Sequence, residues 1–279
     1  GVIDPECHLG SHRPLADDFQ TETKAAAAAG VTTWGMQLVS LAITGGADKV
    51  KGPADIPSFT KAMPLYYEAS RAAAIDFFLT PILGTDEHVT EIPSLAKEHG
   101  ITSFKLHLQM QGPWKSSWPA YAFDDGSIYS TFESVAKLGA PAIALLHCEN
   151  WEIARVLQKH LMDAGRTDMG AWDDRSPAFT EAGHARTYLY YARVTGCPIY
   201  VVHVTTKETI TATHKLFSDL KDAKESWTKS AILGVARLAP TNFIRASFAS
   251  DKSENYRELL TPLVEDFMFG RNNDATTWL

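Results

Sequence analysis

Strand-like and helix-like patterns alternate along this chain of 279 residues, and that alternation limits the fold more than any other feature. Four short apolar runs end in a polar residue able to bind metal. Val2–His8 opens the chain, Ile101–Lys105 follows, then Ala142–His147 and Ile199–His203. Each run has the length and composition of a buried strand. Between them lie helical patterns: Asp17–Ala29, Ser58–Ala74, His88–His99, Ser130–Lys137, Trp151–Ala164, Glu181–Thr195 and Lys207–Lys221. Further strands are expected at Val31–Gln37, Ile75–Leu79, Ala231–Val235 and Ile244–Phe248. Strands alternating with helices form parallel βαβ units. About eight such units make a closed (β/α)8 barrel of TIM type, in which the C-terminal strand ends gather at one face. No Gly-rich nucleotide loop follows the first strand, which disfavours the doubly wound sheet.

A single barrel domain is expected over residues 1–279. The chain opens on a strand at Gly1 without an initiator Met, so it reads as processed or as part of a longer chain. The net charge of −7 argues against a nucleic-acid partner, because phosphate contact needs a basic surface. No apolar run reaches membrane-spanning length, so no membrane partner is expected. Cys7, Cys148 and Cys197 are odd in number and widely spaced, which points to free thiols and a cytoplasmic setting. The segment Gln111–Gly126, with Trp114 and Trp118, would follow the fourth strand as a substrate lid or as an ordinary packed surface loop.

His147 and His203 each end an apolar run, and imidazole suits zinc, nickel, iron or cobalt. A lysine ending a buried strand, as Lys105 does, is costly to desolvate. It can pair with a carboxylate, react with CO2 to give an anionic carbamate, or reach out of the barrel mouth. His107, two residues on and on the same strand face, is read as a packed histidine, with an added ligand or acid as the alternative.

These motifs resemble the cyclic amidohydrolases: dihydropyrimidinases, hydantoinases, allantoinases and dihydroorotases. The resemblance runs through Gly1–His8, Glu22–Thr33, Gly100–Lys105, His147–Asn150, Arg175–Arg186 and Pro198–Thr206, in family order. It implies a metal-dependent hydrolase of a small cyclic amide, with two divalent ions, zinc first and nickel, iron, manganese or cobalt as alternatives. It also implies an N6-carboxylysine at Lys105, which bridges the ions, and His147 and His203 as ligands of the second. His8 matches the second histidine of the first-strand pair, and Glu6 stands where the first would be. Carboxylate oxygen binds zinc, so Glu6 can still serve as a ligand. Glu149 and Asn150 would support the site from behind the ligands.

Two expected roles fall late in the chain: Asp251 as ligand and general base, and Asn242, within Arg237–Asn242, as a substrate contact. Gly10 stands where dihydroorotases carry arginine, and Met110 where hydantoinases carry a tyrosine. The resemblance further implies a homo-tetramer or homo-dimer, and flanking β-sandwich segments outside this sequence. The alternative is a catalytically inactive relative that serves as an oligomeric scaffold.

Overall fold

The structure is a computed structural model, and it describes residues 1–10, 13–38, 56–107 and 123–213. The expected strands at Ala231–Val235 and Ile244–Phe248 lie outside the described residues, as does most of Gln111–Gly126. Two compact units are distinguished, Gly1–His147 with Val194–Cys197, and Cys148–Arg193 with Pro198–Leu279.

The first unit repeats strand and helix: β1 Val2–His8, α1 Leu15–Ala28, β2 Val31–Leu38, α2 Phe59–Ser70, β3 Asp76–Leu83, α3 Asp86–His99, β4 Ser103–His107, α4 Asp125–Leu138 and β5 Ile143–His147. Its strands lie side by side in chain order. Every pairing is parallel, as βαβ units require. Alternation along β4 divides two environments. Phe104 and Leu106 are fully buried, as are Ile92 and Leu95 of α3 and Phe132 and Val135 of α4. Ser103, Lys105 and His107 take the opposite face. Truncating a buried ring such as Phe132 to Ala costs ~3–5 kcal/mol.

Local chemistry sets the helix bounds. The Thr85 side chain caps α3 by accepting from the His88 N–H, acids fill its first turn, and Gly100 ends it in the left-handed region at φ 66°. α4 begins five residues before the expected Ser130, because Asp124 caps it by accepting from the Ser127 N–H. α1 begins at Leu15 after Pro14 rather than at an aspartate cap. The Asp18 carboxylate instead accepts from the Gly10 N–H at 2.8 Å.

The pairing of β1 with β2 is irregular between Asp4 and Cys7. Asp4 pairs with Trp34 and Cys7 with Met36, so three steps on β1 oppose two on β2. Such a bulge re-aims the side chains within it. Gly35 makes it possible, since a Cβ there would meet the Pro5 carbonyl oxygen at 2.2 Å.

The second unit holds α5 Trp151–Asp163, α6 Met169–Asp174, α7 Ala178–Thr195, β6 Ile199–Val201 and a helical stretch over 207–213. α6 was not expected, and its only local signal is the Asp168 cap, which accepts from the Ala171 N–H. All three β6 residues are buried. Among the described residues no helix is long and apolar enough to cross a membrane.

Candidate metal centre

In the first unit, three strands deliver ligand-type side chains to one face. Lys105 is fully buried on β4, and its Nζ donates to Glu6 Oε1 across 99 residues of sequence. Of the three expected solutions for this lysine, the structure displays the carboxylate pair. Glu6 owes its position to the β1 bulge, where its backbone N–H is tied to Asp4 Oδ1 at 3.1 Å. His8, two residues on, places Nε2 4.0 Å from Glu6 Oε1.

His107 joins this group. Its ring meets His8 edge to face with centroids 5.9 Å apart, and it stacks on His147 at 5.0 Å with planes 6° apart. β4 and β5 pair His107 with His147 in register, which sets the stack. The structure therefore brings together Glu6, His8, Lys105 and His147, and adds His107 between two of them. The signal for His107 was its two-residue spacing from Lys105.

In the second unit, His203 lies two residues beyond the end of β6, with a positive φ of 36°. Left-handed backbone at a non-glycine residue is uncommon and needs support from its surroundings. Glu181, 4% exposed, gives that support. Its carboxylate accepts from the N–H and hydroxyl groups of Thr205 and of Thr206, at 2.6–3.3 Å. His203 Nδ1 lies 3.2 Å from Glu149 Oε1. A proton on Nδ1 would satisfy that contact and leave Nε2 to serve as the ligand atom. Glu149 is two residues beyond His147 in the chain. His147, Glu149 and His203 are all candidate metal ligands. The Asn150 side chain accepts from the Ile153 N–H at 3.1 Å and so caps α5. Asp251, Asn242 and Met110 lie outside the described residues.

The donor set fits a borderline divalent cation: imidazole nitrogens and carboxylate oxygens at or just past strand C-terminal ends. Among the described residues it offers no thiolate cluster: Cys7, Cys148 and Cys197 form no disulfide, and burial is the main force that pushes the Cys7 and Cys197 thiols far up.

No family model matches the chain. It is 27% identical over 216 residues to a D-hydantoinase of Geobacillus stearothermophilus, covering 75% of this chain and 41% of the relative. It is 27% identical over 213 residues to an allantoinase of Bacillus licheniformis, covering 75% and 44%. A dihydropyrimidinase of Rattus norvegicus is 26% identical over 212 residues, covering 74% and 37%. The crystal structure of a D-hydantoinase superposes with a TM-score of 0.61 at 26% identity, covering 78% of this chain and 44% of that one. The chain thus spans less than half the length of the relatives it matches. All of these names are names of enzymes, and none favours the scaffold alternative.

Proposed function

We propose that this relative of the cyclic amidohydrolases is a metal-dependent hydrolase that opens the amide C–N bond of a small cyclic amide, such as a hydantoin, a dihydropyrimidine or a related imide or ureide. The observation that carries the proposal is Lys105, a fully buried lysine paired with Glu6, whose carboxylate lies beside His8 in a cluster that runs on through His107 to His147 within one unit. A packing lysine has no need of such neighbours.

Glu6 and His8 would hold one divalent ion, His147 and His203 the other, with Lys105 as N6-carboxylysine between them. Zinc is the first choice of metal. A bound ion lowers the pKa of water and polarises a carbonyl. The chain's own groups do the rest. The neutral Lys105 amine adds to CO2, forming an N–C bond and releasing a proton, and so becomes an anion. Glu149 holds His203 in its ligating tautomer, and Glu181 holds the backbone behind it. Asp251 would take the proton from water and pass it to the leaving nitrogen, and Asn242 would contact the substrate. Assembly as a homo-tetramer or homo-dimer rests on the resemblance alone. A cytoplasmic setting is supported by three cysteines that form no disulfide.

The Glu6–Lys105 pair favours a second reading, in which Lys105 keeps its ammonium and a single ion binds through His147 and His203. Intact mass and metal content distinguish the two. The first reading requires the added mass of one CO2 and two ions per chain, the second neither. The function itself is tested by incubating the full chain with zinc and hydantoin, dihydrouracil or allantoin. Ring opening that a chelator abolishes supports the proposal, and none with any of the three rejects it.

A further inference from the structure

Gln37 is a buried polar side chain with no part in the proposed metal centre. It is fully buried near the end of β2, and neither Oε1 nor Nε2 has a hydrogen-bond partner among the described residues. A buried primary amide with both ends unsatisfied is costly, and native folds keep one where something else supplies the partners. Register shows which face it serves. Gln37 pairs with His8 on β1 and with Thr80 on β3, and partners in a parallel ladder share a face. The Thr80 hydroxyl is 2.6 Å from that of Ser103, two residues before Lys105 on β4. The carboxamide therefore stands in one row with His8, Thr80 and Ser103, on the face that carries Lys105.

We propose that Gln37 reads the cis-amide edge of the bound ring, with Oε1 accepting from a ring N–H and Nε2 donating to the adjacent ring C=O. This rests on the hydrolase reading and deepens it. In a small ring the amide is locked cis, so its C=O and N–H point the same way. A primary carboxamide matches that edge in two parallel hydrogen bonds. An open-chain amide is trans, and its two groups point in opposite directions. Gln37 thus selects lactams, imides and ureides with a free N–H beside a carbonyl, and disfavours linear amides and N-alkylated rings.

Ligand-observed NMR titration of the full chain with succinimide and with N-methylsuccinimide tests this without relying on turnover. Gln37→Met keeps the side-chain length and removes both polar groups. It should weaken succinimide ~10-fold and leave N-methylsuccinimide unchanged, while the chain unfolds at no lower temperature. Gln37→Glu, which loses the donor, should also weaken succinimide, and it carries the test should the methionine variant not fold. Equal losses for both probes, no loss for either, or failure of the parent chain to bind succinimide would overturn the assignment. Hydantoin turnover by the parent chain is scored separately. Turnover without the N–H-dependent loss sinks Gln37 alone, and that loss without turnover sinks the hydrolase reading alone.

Discussion

His107 lies flat against His147, with ring planes 6° apart and centroids separated by 5.0 Å, while its edge meets His8. One imidazole thus buttresses two others that are candidate ligands of different ions. His107→Ala should weaken zinc binding about tenfold, as losing a group that orients ligands does. Zinc titration of parent and variant reads this, and identical affinities would make His107 a packed ring only.

In the proposed centre Glu6 would supply an oxygen donor where the resemblance implies a histidine nitrogen. Glu6→Ala should lose about one ion per chain, and Glu6→His should keep both and shift preference toward metals that favour imidazole. Metal content after dialysis decides the matter. Unchanged content in Glu6→Ala would leave the residue as the Lys105 counter-ion.

Glu181 ties down the segment that follows His203. Glu181→Ala orphans the N–H groups of Thr205 and Thr206 and should cost ~3 kcal/mol of stability. Denaturant unfolding measures that loss, and zinc affinity should fall with it. Stability lost at unchanged zinc affinity would confine Glu181 to folding.

Acid should destabilise the first unit in two stages. His88 is buried between Gly84 N–H and the Pro57 carbonyl, and burial pushes its pKa below the ordinary 6.5. The unfolded chain takes up that proton first, so the stability due to neutral His88 is full above about pH 6.5 and shrinks below it. For Glu91, burial alone would raise the pKa, but hydrogen bonds from Thr60 and Phe59 outweigh it and hold the group below 4.5. Its contribution is full above that value and is lost as pH falls through the folded value. The unfolding temperature against pH should show both stages. Glu91→Gln should flatten the lower one, and an unchanged acid limb would contradict the assignment.

Much of the first unit was legible because its cues are local. Short apolar runs marked β1, β2, β4 and β5, and the helical pattern over His88–His99 marked the end of α3. The place of Lys105 at the end of a buried strand was readable for the same reason. Its partner was harder to see. Glu6 lies 99 residues away and is aimed by a bulge that shows only in the register of β1 against Gly35. The early start of α4 was hidden because Asp124 reads equally well as a loop residue. Gln37 looked like one polar residue in an apolar strand, since burial and missing partners are tertiary facts. Glu181 shared that fate, because its acceptors meet donors 24 and 25 residues later.

Hydrolysis of hydantoin by Lys105→Ala, compared with the parent chain in the presence of zinc, tests the central claim most directly. The parent should open the ring, and the variant should lose at least ~100-fold in rate, as removal of a group that organises the metal site does. A short carboxylic acid should restore part of that loss by supplying the missing carboxylate, whereas Lys105→Arg, whose guanidinium stays charged and fills the space, should not respond. Turnover in Lys105→Ala equal to that of the parent would contradict the account and leave Lys105 as a buried partner of Glu6.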